Sequence, residues 1–209
     1  NTLDRLFDAM FGNEPPEVRM RLQRRYASKE ALAEAERRIE RIALDVADHF
    51  NKHIRPNGLK GQLVAPSRLT AINYAERLNA FGVAAYPIIT TSAEDDERYR
   101  PARELNGRTQ EEIVSAFLAR EGEPQILVVV DMLLTGFDAP IEQVLYLDRG
   151  LREHGLLQAI ARVNRPYSHK RDDGVWFEKR YGLVIDYWGV SRDLAEALAS
   201  FDTEDTRDA

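Results

Sequence analysis

Arg162 and Arg165 stand three residues apart, a spacing that puts both guanidinium groups on one face of a helix. A nucleoside triphosphatase needs cations beside the γ-phosphate as charge moves during hydrolysis, and arginine can fork two oxygens without losing its proton. Spacing alone is met equally by two arginines on a solvated face. Asp131 ends an apolar run in the manner of a magnesium-holding carboxylate, but Met132 follows where a second acid is usual, and no Gly-x-x-x-x-Gly-Lys-Ser/Thr phosphate cradle occurs in the chain. His49 and His53 have the four-residue spacing of a zinc pair, yet no glutamate follows the first histidine and no third ligand is evident, so the expectation is no metal.

The elements that must position these groups are legible around them. Ile126-Leu127-Val128-Val129-Val130 and Val144-Leu145-Tyr146-Leu147 are short apolar runs bounded by polar turns, the pattern of strands buried on both faces in a helix-covered parallel sheet. Ligands of such sheets bind at the carboxyl ends of the strands, which predicts Thr135, Gly136 and Asp138 on that edge. A helical segment then carries Gln158, Arg162 and Arg165.

Leu134-Thr135-Gly136-Phe137-Asp138-Ala139-Pro140 resembles motif V of superfamily 2 helicases, and Gln158-Ala159-Ile160-Ala161-Arg162-Val163-Asn164-Arg165 resembles motif VI, Gln-x-x-x-Arg-x-x-Arg. With Leu147-Asp148-Arg149, Leu151, His154, Leu156 and Pro166, the wording is similar to the second RecA-like lobe of the motor subunit of type I restriction enzymes. The resemblance covers motifs IV to VI, from about Lys60 to Asp186. It implies an α/β, RecA-like three-layer fold with a mainly parallel sheet. It also implies that Arg165 is an arginine finger with Arg162 its companion, and that Gln158 and Asp138 face ATP. Ser67 and Arg68 of motif IV, with Thr135 and Gly136, would meet DNA phosphates through backbone N–H groups, a helix start and a cation. For Ser67 an ordinary helix cap, and for Thr-Gly-Phe-Asp an ordinary turn, remain the plain alternatives.

Size and charge bound the rest. The chain has 209 residues, 44% of them hydrophobic, enough for one domain with an appendage. A net charge of -6 argues against holding nucleic acid by bulk electrostatics, so any DNA contact must be local. The absence of cysteine excludes disulfides and thiolate metal sites and fits a cytoplasmic setting. No apolar stretch approaches the roughly 18 residues of a membrane span. The chain starts without methionine and reads as part of something longer.

In order, residues 1–57 are expected to form a helical extension, dominated by a long amphipathic helix from Ser28 to about Ile54 with Ser28 as cap, Glu34→Arg38 as a helical pair and a solvated charged face. Asn57-Gly58 closes it, and residues 58–201 make the RecA-like lobe. There Gln62 to Pro66 reads as a strand and Ser67 opens a helix; Ala84 to Ile89 reads as a strand that Pro87 pushes to an edge. Residues 94–107 read as an exposed charged loop, Thr109 to Glu112 as a capping box, 166–180 as a polar segment, 182–187 as a last strand and 194–201 as a closing helix before a frayed acidic tail, 202–209.

The expectation is therefore the second motor lobe of an ATP-dependent DNA translocase. Its partners would be duplex DNA, the first RecA-like lobe and nuclease domain of the same chain, and the methylation and specificity subunits, with no membrane. ATP and Mg2+ would be held mainly by the first lobe, and the chain alone would neither hydrolyse ATP nor cut DNA. Another superfamily 2 helicase lobe, or a non-catalytic module that keeps the fold, are the rival readings.

Overall fold

Alternating residues of the apolar runs supply two separate cores, one on each side of a single sheet. The computed structural model describes residues 12–25, 35–134, 136–151, 153–171 and 174–189. Its strands are β1 (Lys60–Val64), β2 (Ala85–Ile88), β3 (Ile126–Val129), β4 (Glu142–Leu147), β5 (Tyr167–Lys170), β6 (Trp176–Lys179) and β7 (Leu183–Asp186). Five of them form a sheet in the order β2-β3-β1-β4-β7, parallel at every pairing. β1 to β4 are buried along their whole length, as two-faced strands must be. Pro87 lies in β2, an edge strand.

The helices are α1 (Pro16–Arg25), α2 (Glu36–His49), α3 (Arg68–Ala80), α4 (Arg100–Glu104), α5 (Gln110–Phe117) and α6 (Glu153–Val163). α2 and α3 cover one face: Ile39, Val46, Phe50, Ile72 and Leu78 pack with Leu63, Val128 and Tyr146. α5 and α6 cover the other, where Ile113, Phe117, Leu156 and Val163 pack with Val64, Val129 and Leu147. Neighbouring strand residues such as Leu63 and Val64 thus point to opposite layers. Ser67 caps α3 by accepting from the Thr70 N–H, and Thr109 with Glu112 forms the expected capping box on α5. Beyond α2 the chain passes through a π turn, Phe50–Ile54, and a 3-10 turn that ends at Gly58 with φ +67°, a conformation that favours glycine. Among the described residues no helix is long and apolar enough to cross a membrane.

Four expectations need correction. Within residues 1–57, α2 and the turn after it are no appendage, since they share one core with α3 and the sheet. Residues 94–107 are not a plain loop but short helical turns around α4, with Ala102 and Leu105 buried, because Asp96 caps the first turn and Asp95 gathers Arg68. The polar segment after α6 folds into the antiparallel hairpin β5–β6, with Lys179 buried. Arg38 does not sit on a solvated face, being 6% exposed. Ser28, Glu34, the closing helix and the acidic tail lie outside the described residues.

Arg38 is buried because Asp148, at the end of β4, has no exposed surface and needs a counter-charge. Arg38 Nη1 donates to Asp148 Oδ2 at 2.8 Å, Nη2 donates to Oδ1, and Tyr74 Oη of α3 donates to Oδ2 at 2.6 Å. Arg38 Nη2 also donates to the Tyr187 carbonyl at 3.2 Å, just past β7. Burial opposes the guanidinium charge, but Asp148 more than offsets it and Arg38 titrates above its ordinary range.

Arg38→Met is expected to lower stability by about 3–5 kcal/mol, because it strands a buried carboxylate. Tyr74→Phe is expected to cost less, about 2 kcal/mol, since the ion pair survives. Urea unfolding of both variants gives the comparison, and an Arg38→Met protein within roughly 1 kcal/mol of the parent would show that Asp148 needs no partner.

Candidate functional site

The link from β3 to β4 determines where the predicted site residues lie. β3 ends at Val129 and the parallel strand β4 begins at Glu142, so residues 130–141 must return across the sheet, and among the described residues no helix does the crossing. Their middle lies on the α5/α6 face, with Leu134 and Ala139 buried in its core, while Val130 and Ile141 at the two ends pack in the α2/α3 core. The crossover reaches the amino edge at Ile141, whose carbonyl accepts from the Lys60 N–H at 3.2 Å. Asp138 therefore sits toward the amino ends of the strands, not on the predicted carboxyl edge. Thr135 lies outside the described residues. Gly136 has φ +77° with open space where a Cβ would stand, so backbone conformation, not crowding, favours glycine there.

α6 runs antiparallel to the strands and brings its last turn to the same place. Arg162 Nε donates to the Leu134 carbonyl at 2.8 Å, and Arg165 Nη1 donates to Asp138 Oδ2 at 2.9 Å. The Arg165 and Asp138 side chains are 53% and 58% exposed, so this is a surface pair. Gln158, one turn before Arg162, is exposed as well. The structure thus brings together Asp138, Arg162 and Arg165, with Gln158 on the same helix face.

Ser67 and Arg68 form a different place, at the carboxyl end of β1. Arg68 is fully engaged: Nη1 and Nη2 donate to the two oxygens of Asp95 at 2.9 and 3.0 Å, Nη1 donates to the Thr90 carbonyl, and the guanidinium stacks 4.6 Å from the Tyr99 ring centre. Arg68, with the Ser92 N–H, holds the Asp95 carboxyl below the usual carboxylate range.

Two anchors of the crossover had no clear sequence signal. Arg149, directly after Asp148, donates to the Val130 carbonyl at 2.9 Å and pairs with Asp131 at 2.6 Å, which leaves Asp131 as a structural partner. Lys179 of β6 donates to the Pro140 and Glu142 carbonyls, both at 2.6 Å, and so pins the other end. A lysine inside a polar stretch carries no mark of burial. Burial pushes the Glu142 carboxyl up to about 8 against the pull of Lys179 and Arg162, and burial brings Lys179 down to about 8 against the pull of Glu142. The side chain of His154 lies outside the described residues.

Comparisons with known proteins show the family and the fold. A family model described as type I restriction enzyme subunit R domain 3 matches residues 84–188. The type I restriction enzyme HindI endonuclease subunit of Haemophilus influenzae is 28% identical over 210 residues, covering 93% of this chain and 19% of that protein. The candidate MjaIXP endonuclease subunit of Methanocaldococcus jannaschii is 29% identical over 197 residues, covering 92% of this chain and 18% of its own length. The chain spans less than a fifth of either relative. A fragment of a candidate HsdR subunit of a type I restriction enzyme from Vibrio vulnificus YJ016 has a TM-score of 0.55 and 18% identity over 77% of this chain and 29% of that one, a likeness of fold.

The buried Glu142 generates a pH dependence. Its folded carboxyl, near 8, binds a proton more tightly than the ordinary group near 4.5, so this contribution to stability is full below about 4.5 and is lost as pH rises through about 8. Lys179 acts in a later window, its depressed value adding stability from about 8 up to its ordinary 10.5. Glu142→Gln should gain on the parent between about pH 5 and pH 8, by on the order of 1–3 kcal/mol at the upper end. Urea unfolding across that range measures it, and parallel stability curves for the two proteins would contradict the assignment.

Proposed function

Since the chain belongs to the type I restriction enzyme subunit R family and has its RecA-like fold, we propose that it is the second motor lobe of the ATP-dependent DNA translocase in that subunit. The observation that carries the proposal is the surface cluster of Arg162 and Arg165 tied to the β3–β4 crossover. Arg162 spends Nε on a backbone carbonyl, which orients its fork and leaves both terminal nitrogens for an anion. Among the described residues Arg165 is paired with a solvated carboxylate, an interaction weak enough to exchange for phosphate oxygens.

The residues present fit a triphosphate presented from outside, and not one held by this chain alone. There is no phosphate cradle in the sequence, and the carboxylates of the crossover, Asp131 and Asp138, are each spent on an arginine. Magnesium and the bulk of ATP are accordingly assigned to the first lobe. Bound ATP would supply the free energy of its hydrolysis. Arg165 would then stabilise charge at the γ-phosphate as the arginine finger, with Arg162 beside it, Gln158 on the same face, and Asp138 holding Arg165 until closure. Duplex DNA is assigned to the carboxyl edge through the Ser67 cap and Arg68 once Asp95 releases it, and to the crossover through Gly136 and Thr135. The nuclease domain of the same polypeptide and the methylation and specificity subunits complete the set of partners.

In the intact subunit, Arg165→Ala is expected to lower DNA-stimulated ATPase kcat by roughly a hundredfold or more. Its DNA affinity should change little. Steady-state ATPase and DNA-binding assays on the same preparation separate the two, and an Arg165→Ala subunit that hydrolyses ATP within about twofold of the parent would remove Arg165 from the chemistry. The chain alone is expected to show no ATPase.

A further inference from the structure

On the opposite face from the arginine cluster, a cavity of about 420 Å³ opens where α2 ends, between the π turn, the start of β4 and the β6–β7 connection. His49, His53 and Gln143 line it. We propose that these three side chains form a binding site for a divalent transition-metal ion of the Zn2+ class, a site that goes beyond the motor reading and does not depend on it.

The two imidazoles are already placed for one ion. His49 ends α2 and His53 lies in the π turn that follows, and their ring centres are 5.1 Å apart with the planes tilted by 42°. Two imidazoles bound to one ion through bonds of about 2.1 Å at a tetrahedral angle would have ring centres roughly 5 Å apart. His49 Nδ1 lies 2.8 Å from Tyr146 Oη, which fixes the ring and leaves Nε2 as its free ligating atom. A metal-binding histidine is commonly held in this way through its other nitrogen. Wide turns of the π type recur at functional sites because they redirect side chains that a regular helix would carry elsewhere.

Gln143 supplies the independent observation. The β1–β4 register steps from Lys60 opposite Glu142 to Gly61 opposite Val144, so Gln143 is an extra, bulged residue whose side chain is re-aimed. It is 7% exposed, and its Oε1 has no hydrogen-bond partner among the described residues. A buried amide oxygen without a partner is costly to the fold, and a cation in this cavity would satisfy it. The surroundings do not repel that cation. Asp45 and Asp48 lie close enough to act on His49, Lys179 directs its ammonium to the Pro140 and Glu142 carbonyls, and Arg180 pairs with Glu178. No group of three or more His, Cys, Asp and Glu forms a metal cluster among the described residues. The proposed site is therefore open, with two nitrogens, one amide oxygen and water.

Calorimetric titration of Zn2+ into the chain at neutral pH is expected to give one equivalent of binding. His53→Ala, which removes an exposed ring and should fold normally, is expected to weaken binding by about tenfold or more, as is His49→Ala, with Gln143→Leu weakening it by a smaller factor. In proton NMR the His49 and His53 ring signals should shift with added Zn2+ while those of His154 and His169 stay in place. No binding up to roughly millimolar Zn2+, unaltered affinity in His53→Ala, or a response led by His154 or His169 would each overturn the proposal.

Discussion

Asp148 is a charged carboxylate with no exposed surface, and the docking of both neighbouring helices on the sheet follows from keeping it charged. Removing a carboxylate from water costs several kcal/mol, repaid only when the partner geometry is good and the remaining lone pairs are used. Here Arg38 takes both oxygens and Tyr74 takes one of them again. Those partners come from α2 and α3, so a mismatch in either helix would leave a buried charge short of a contact. Apolar packing on this face could tolerate a slide of a helix; the carboxylate cannot. The same constraint reaches β7, because Arg38 also holds the Tyr187 carbonyl while the Tyr187 N–H donates to the Leu147 carbonyl at 2.8 Å. Arg149 is the next residue along, and it anchors the start of the crossover that carries Asp138. The arrangement of the proposed motor face is thus one residue removed from the buried lock.

Much of this was legible in the sequence because it rests on local pattern. Ile126 to Val129 and Val144 to Leu147 are strands because a run of β-branched and large apolar side chains can be satisfied only by burial on two faces. The Thr109–Glu112 capping box, the Ser67 cap and the Gly58 stop depend on a few adjacent residues and came out as expected. The resemblance to motifs V and VI, not spacing, grouped Asp138 with Arg162 and Arg165; that Asp138 pairs directly with Arg165, at 2.9 Å, had no signal in the sequence.

What could not be read depends on partners far along the chain. Arg38 looks like any arginine on a charged helix, and only Asp148, on a distant strand, makes its burial possible. The hairpin β5–β6 is hidden in a polar segment because its fixed points are Lys179 on the Pro140 and Glu142 carbonyls and an exposed Trp176, neither of which gives a strand-like apolar alternation. The return of the crossover to the amino edge was missed for a similar reason. A parallel connection normally contains a helix, whereas residues 130–141 cross with Leu134, Ala139 and Ile141 as their buried footholds among the described residues.

Two exposed or half-exposed arginines on the proposed working surfaces each carry an intramolecular carboxylate: Arg68 with Asp95, and Arg165 with Asp138. In a chain of net charge -6 a polyanion gains nothing from the bulk field, so a phosphate contact must be made at a few prepared points. A paired guanidinium is such a point, since its carboxylate holds the fork in a defined orientation. Solvated pairs of this kind contribute roughly 0–1 kcal/mol, so exchanging the carboxylate for a phosphate oxygen sacrifices little of the fold. The buried pair of Arg38 and Asp148 obeys the opposite rule, for there exchange would leave a charge in the core. The division between fixed and exchangeable arginines on this lobe therefore follows from solvent access at Asp148 and at Asp138, and the proposed motor role draws only on the second kind.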